Sequence, residues 1–254
     1  MPEGEFQAAL VLPDGRTIEY AIRRSSRAKA LRLKLSASEG LVAIAPEELS
    51  RHKLLALVAS KSKWIGERLA NFDEVRHLIA AAPISRPQAF DLAALGESWR
   101  VEYRLTRGRT VRARTDRQGR IVVEGAIEDT EACKAALRRW LARHATAALT
   151  PWLASLSNEF GLPYSKLMIK SQRTRWGSCS PNGCISLNCK LLFIQRDVAR
   201  YVLLHELCHT LVPNHSEKFW VRLRSIDSYT DYHHARMRDA WKSVPTWVHR
   251  AHRV

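Results

Sequence analysis

Apolar and polar residues alternate with a period of two through the first 45 positions. In QAALVLPDGRTIEYAIRRS an Asp14-Gly15 turn separates two alternating runs, and Leu31, Leu33 and Leu35 alternate with Arg32 and Lys34 ahead of LVAIAP. Strands and a hairpin are expected here. Pro46 is expected to open a helix with Glu47 and Glu48 in its first turn, carried on by Leu54, Leu55, Leu57 and Val58 and by a second piece around Trp64, Ile65 and Leu69. The loop AAAPISRPQAF leads to a second region of alternation between 98 and 123. There Trp99, Val101, Tyr103 and Leu105 alternate with Arg100, Glu102 and Arg104, and beyond Arg107-Gly108, Val111 and Ala113 alternate with Arg112 and Arg114. A second turn at Gln118-Gly119 leads into Ile121-Val122-Val123. The pattern predicts a meander with one apolar face and one arginine face.

From Asp129 the period becomes helical, with Leu137, Trp140 and Leu141 on one face, and Pro151 marks a kink or a fresh start before Trp152, Leu153, Leu156 and Phe160. KLMIKS and CISLNCKLL flank the turn residues SPNG at 180–183 and suggest a small antiparallel sheet. In DVARYVLLHELCHTL, Asp197 suits the N-cap. Val198, Tyr201, Val202, Leu203 and Leu204 make the segment apolar almost all round, so this helix is expected to be buried. The fold class expected is α+β. Residues 1–125 form a β-rich N-terminal domain with a helical insertion at about 46–80, and residues 126–254 form a second, catalytic domain. No repeat or low-complexity tract is apparent.

The chain has 254 residues, 46% hydrophobic and 26% charged, a balance that supports one large or two modest globular domains. It has no apolar run long enough for a membrane span, and the N-terminal MPEGEFQAALVLPDG is acidic where a signal peptide is basic. A cytoplasmic protein without a membrane partner is expected. Cys133, Cys179, Cys184, Cys189 and Cys208 form no C-x-x-C pair, which argues against a disulfide framework and a cysteine zinc knuckle. The net charge of +16 permits nucleic-acid binding, and Arg112 and Arg114 are the candidate contacts. A scattered basic surplus more often solvates a surface, so the arginine face is read first as a solvated sheet face.

The candidate chemistry lies in HELCHTLVPNH, residues 205–215. His205 and His209 are four apart on one helix and so can aim two imidazoles at one ion, with Glu206 beside them free to take a proton rather than ligate. Pro213 and Asn214 break the helix and return His215 as a third ligand, while Ser216 can cap the helix EKFWVRLRSI that follows. Three neutral imidazoles with one open position make a catalytic zinc site with one Zn²⁺ per chain. A helix burying two histidines and a glutamate would cost several kcal/mol without compensation, and a metal supplies it.

HELCHTLVPNHSEKFW, together with KSQRTRWGSCSPNGCISLN upstream, resembles the YgjP-like zinc metallopeptidase family, and more distantly the SprT-like and WLM zincins. RRSSRAKALRLKL and GESWRVEY extend the likeness over roughly 20–245. The resemblance implies a zincin-like C-terminal domain with zinc on His205, His209 and His215 and with Glu206 as general base. The metzincin signature is not met, because its glycine is Val212 here and Met237 lies in the helical stretch ARMRDAW rather than in a Met-turn.

The resemblance implies hydrolysis of peptide bonds, and the residues supply a mechanism for it in Glu206-assisted attack of a zinc-bound water. Arg175, Tyr229 and Tyr232 are candidates to hold the oxyanion, CISLN with Ile185 is the candidate edge strand for extended substrate, and Trp176 and Gly177 would shape the turn into it. Cys208 is read as a core thiol. The SprT-like relatives suggest DNA-associated proteins as substrates. Two rival functions are a metal-dependent nucleotide phosphohydrolase, which three imidazoles disfavour, and a nucleic-acid-binding protein with a structural zinc, which Glu206 disfavours.

Overall fold

The computed structural model describes residues 5–36, 40–67, 69, 86–172 and 175–249. Contacts divide the chain between Ala81 and Ala82 into two units, each with its own core. The expected boundary near 125 falls inside the second unit. There the strands before it and the helix after it bury one another, with Phe90, Val101, Val111 and Ile121 sharing a core with Leu137, Trp140 and Leu141.

In the first unit, β1 (Glu5–Val11) and β2 (Thr17–Arg24) form the hairpin that Asp14-Gly15 predicts, with Gly15 at φ 82°. β3 (Arg32–Ser36) and β4 (Gly40–Ala45) complete a sheet of order β1-β2-β4-β3, in which β2 and β4 are parallel. The next helix, α1 (Arg51–Ala59), starts later than Pro46. Residues 46–50 form a turn, and Ser50 caps the helix by accepting the Lys53 N–H, which an orphan first-turn donor needs. Leu54 and Val58 seal the sheet, and a second helical piece, α2 (62–67), adds buried Ile65. The part of the expected helical insertion at 70–80 lies outside the described residues.

The second unit begins with β5 (Ala89–Leu92), β6 (Glu97–Leu105), β7 (Arg112–Thr115) and β8 (Ile121–Gly125), in the order β5-β6-β8-β7. The expected meander is therefore corrected, because β8 inserts between β6 and β7 and runs parallel to β6. Ile121, Val122 and Val123 are all fully buried, so this strand takes the centre, where both faces are covered. The two faces are as expected: Val111 and Ala113 are buried, and Arg112 and Arg114 are exposed.

This sheet has the same strand order and the same pairing senses as the first. An offset of 80 residues carries the β3–β4 register onto β7–β8, so that Arg32↔Ile44 becomes Arg112↔Glu124. The fold thus contains a repeat that the sequence reading did not find.

Asp129 caps α3 (Thr130–Phe160) by accepting the Ala132 N–H, and Gly161 ends it in the left-handed region at φ 62°. The helix runs on through Pro151. Two arginines one turn apart on α3 donate to carbonyls two residues apart along this edge: Arg139 to Val111 O, just before β7, and Arg143 to Ala113 O within it, each at 2.8 Å. They occupy acceptors that an edge strand would otherwise leave open.

β9 (Lys166–Lys170), β10 (Gly177–Cys179) and β11 (Cys184–Asn188) form the third sheet, ordered β10-β11-β9. The turn at 180–183 joins β10 to β11 as an antiparallel hairpin, but β9 and β11 are parallel, which corrects the all-antiparallel expectation. The remaining helices are α4 (Arg196–Cys208), α5 (Glu217–Ile226) and α6 (Thr230–Asp239). The α+β class stands as expected. Among the described residues no helix is long and apolar enough to cross a membrane.

Gly125 is a point at which this packing has no slack. It sits at φ 128°, and a Cβ built on it would lie 2.1 Å from the Thr110 carbonyl oxygen. Backbone cannot retreat as a side chain can, so Gly125→Ala should destabilise the protein by about 2 kcal/mol or more, read as a fall in the denaturant midpoint at unchanged m-value. A midpoint within experimental scatter of wild type would show that the β7–β8 approach is looser than described.

Candidate metal centre

α4 is buried almost all round, as its apolar pattern requires, and its last turn carries the chemistry. Its N-cap is Gln195 rather than Asp197, which lies in the first turn and accepts the Val198 N–H. His205 is inside the helix and His209 is its C-cap, so the helix ends at the second imidazole. The chain then turns through Pro213 and brings back His215. The three Nε2 atoms converge, at 3.2 Å for His205 and His209, 3.1 Å for His209 and His215, and 2.9 Å for His205 and His215. Tetrahedral zinc with Zn–N bonds of about 2.0–2.1 Å sets its nitrogens about 3.3–3.4 Å apart, so the trio fits such an ion with a small outward adjustment.

Each ring is held from behind. His209 Nδ1 is 3.0 Å from the Val212 carbonyl oxygen, which keeps the ring proton on Nδ1 and leaves Nε2 bare. Phe219 of α5, fully buried, stacks on His209 at 4.5 Å and meets His205 and His215 edge-on, each at 4.9 Å. Trp220 stacks on His215 at 5.7 Å. Ser216 stands at the N-cap of α5, but its side chain makes no capping bond; instead its backbone carbonyl accepts from Phe219 and Trp220. Burial pushes the His205 imidazole down to about 2, with His209, His215 and His234 opposing its charge, and burial lowers His209 and His215 as well. All three are thus neutral donors near neutral pH, as ligation requires.

Glu206 is only 6% exposed, and its Oε2 has no hydrogen-bond partner among the described residues. It lies against β10 at Gly177, where an added Cβ would come within 2.6 Å of the Glu206 Cγ and Oε1. Gly177 is there for space, since its φ is not in the left-handed region. Burial pushes the Glu206 carboxyl up from 4.5 to about 8, opposed by the Arg175 guanidinium charge. A buried carboxyl oxygen without a hydrogen-bond partner is a group that a nearby cation would satisfy, and the histidine trio is the donor set that would hold one.

Several expected site residues lie elsewhere. β11 is flanked on both sides, and Ile185 is fully buried in the core, so CISLN is the central strand; the edges are β9 and β10, and β10 is the one that touches Glu206, at Gly177. Trp176 is core as well, stacked on Trp241 at 4.0 Å. Tyr229 and Tyr232 line a separate cleft of about 550 Å³ with Asp197, Arg200, Asp227 and His233, and the Tyr232 hydroxyl accepts from Arg236 at 2.9 Å. Arg175 is exposed and close enough to act on Glu206. Cys208 is a buried thiol, as read.

On the arginine face, Arg114 meets Glu124, and Arg104 and Arg120 meet Glu102, so carboxylates interrupt the positive charge. This favours the solvated-face reading of Arg112 and Arg114. Sequence reading missed Phe219, Tyr201 and His234 as groups around the trio. The available signal for Tyr201 was its spacing, one turn before His205.

The sequence pattern of the YgjP-like metallopeptidase domain matches residues 29–240. Among solved structures, the metallopeptidase zymogen of Pyrococcus abyssi abylysin is similar at 20% identity over 35% of this chain and 91% of that one, with a TM-score of 0.32, too low to bear on the fold. The curated proteins contain no match.

Burying Glu206 has a consequence for metal-free protein. Its carboxyl ionises near 4.5 when unfolded and near 8 when folded, so the stability it contributes is present below about 4.5 and lost as pH rises through about 8. The buried histidines act in the opposite direction, losing stability as pH falls below their ordinary range. Comparing wild type with Glu206→Gln isolates the first effect: the variant should gain in thermal midpoint relative to wild type between pH 5 and pH 9. A difference that does not change with pH would mean that Glu206 is not desolvated.

Proposed function

The chain belongs to the YgjP-like metallopeptidase family, and from that premise we propose that it hydrolyses peptide bonds at a single zinc ion held by His205, His209 and His215, with Glu206 as general base. The observation that carries the reading is the convergence of three Nε2 atoms at 2.9–3.2 Å beside Glu206, whose buried Oε2 has no hydrogen-bond partner among the described residues.

Zinc, when bound, supplies a Lewis acid that polarises the scissile carbonyl and acidifies a coordinated water. The rest is the work of the chain. Glu206 Oε2 accepts a proton from the attacking water and hands it to the nitrogen of the leaving amine. Its burial makes it a stronger base than a solvated carboxylate, and Gly177 leaves it room to stand. The Arg175 guanidinium, already close enough to oppose the effect of burial on Glu206, is the candidate to steady the oxyanion.

β10 is the free edge next to Glu206, and an extended substrate pairing along Gly177–Cys179 would approach the trio lengthwise. The expected substrate is therefore protein or peptide. The interrupted arginine face gives no support for DNA-bound targets. The open trio with its adjacent carboxylate argues against a purely structural zinc, and family membership against a nucleotide phosphohydrolase.

Purified protein should carry about one zinc per chain, and His215→Ala should lose most of it, as read by elemental analysis. Full occupancy in that variant would remove His215 from the ligand set. Glu206→Gln keeps the shape of the side chain and removes the proton acceptor. It should keep zinc and fold while losing on the order of a hundredfold to ten-thousandfold in peptide hydrolysis, measured with an unfolded protein such as casein. Activity within a few-fold of wild type would rule Glu206 out as the base, and loss of zinc together with activity would make it a ligand.

A further inference from the structure

Tyr201 lies on α4 one turn before His205 and is fully buried, with its hydroxyl between two histidine nitrogens. The phenolic oxygen is 2.9 Å from Nδ1 of His234, a full hydrogen bond, and 3.5 Å from Nδ1 of His205, a long one. A hydroxyl has one proton to give, and in a buried site that proton needs an acceptor, so one of the two neighbours accepts from it and the other can only donate to it. His205 turns Nε2 toward the other two ligands, at 3.2 and 2.9 Å. Ligation needs that nitrogen bare, which puts the ring proton on Nδ1. The direction of the chain follows: His205 Nδ1–H donates to Tyr201 Oη, Tyr201 donates onward to Nδ1 of His234, and His234 keeps its own proton on Nε2.

From this geometry we infer that Tyr201 and His234 are positioning residues that fix the tautomer and ring orientation of His205 as a metal ligand, an inference that rests on the metal-centre reading above. Packing ties the same groups together. The Tyr201 ring is 5.9 Å from His205 and 6.2 Å from His234, while Trp220 stands edge-on to His234 at 5.2 Å and stacks on His215. α6 is thereby joined to the ligand set on two sides, through the hydroxyl to His205 and through an indole to His215. Accepting the hydrogen bond from Nδ1–H also makes Nε2 a better electron-pair donor, as outer partners of ligating histidines do.

The test is zinc affinity, read by competition with a chromophoric chelator, in wild type, Tyr201→Phe, His234→Leu, His234→Asn and the Tyr201→Phe/His234→Leu double variant. Tyr201→Phe keeps the ring and its packing, so it removes only the hydroxyl. Tyr201→Phe and His234→Leu should each weaken zinc binding roughly tenfold to a hundredfold. The double variant should be no worse than the weaker single within about threefold, because both break one chain. His234→Asn, whose amide oxygen can accept in place of Nδ1, should recover most of the loss.

In cobalt-loaded protein, the visible absorption should change in Tyr201→Phe while the unfolding midpoint of the metal-free protein does not. A merely structural tyrosine would do the reverse, and that result would overturn the inference, as would strictly additive losses in the double variant. If wild type takes up no zinc, the metal centre falls and the positioning role with it. If wild type binds zinc and Tyr201→Phe binds it equally well, the positioning role alone is wrong.

Discussion

Three imidazole Nε2 atoms converge to about 3 Å of one another, and the surrounding structure holds each ring in that position. Three rings can turn the same nitrogen to one point only if each is fixed from outside the trio. The enforcement is visible on every side. The helix holds His205 and His209 one turn apart, the Val212 carbonyl fixes the His209 proton, and Phe219 wedges against all three rings. The desolvation that keeps the rings neutral also raises the proton affinity of Glu206, so one buried environment acts on all four groups, as the proposed ligand and base roles need.

That environment explains which parts of the site were legible in the sequence. H-E-x-x-H spacing is a property of one helix, and a proline with a histidine two residues later is a property of one turn, so both can be read locally. Gly177 could not be. Its role is to leave room for a side chain 29 positions away, and nothing in W-G-S-C distinguishes a glycine kept for space from one kept for a turn. Tyr201 was legible in principle, being on the His205 face, yet as an apolar residue of a buried helix it reads as core. His234 depends entirely on where α6 packs.

The sheets failed in the same way. Alternation located β1 to β4 and β6 to β8 and their faces, because facing is set residue by residue, whereas the start of β5 was read as the end of the loop AAAPISRPQAF. Strand order depends on which strand is most apolar and can be covered twice, and the run Ile121-Val122-Val123 was the clue to a central strand rather than a third hairpin arm. Ile185 was misplaced for the matching reason. C-I-S-L-N alternates as an edge strand does, but β9 pairs with it in parallel and covers the edge.

The repeat shows why identity was a poor guide to the fold. At an offset of 80 residues, exposed charge is kept, Arg32 against Arg112 and Lys34 against Arg114, while core positions change from Ala43 to Val123 and from Leu33 to Ala113. Each core can be refilled as long as its volume is conserved, whereas pairing register cannot slip by one without turning every side chain over. The two copies part company at their helices. α1 has nine residues and buries Leu54 and Val58, enough to seal one sheet. α3 has 31 residues; its first half covers β5 to β8 through Leu137, Trp140 and Leu141, and its second half carries Leu149, Leu153 and Leu156 into the core that holds Leu203, Leu204 and Leu207 of α4. The extra turns of α3 thus give the second copy an apolar wall that buries Leu203, Leu204 and Leu207 of α4, and burial of the same helix is what desolvates His205 and Glu206.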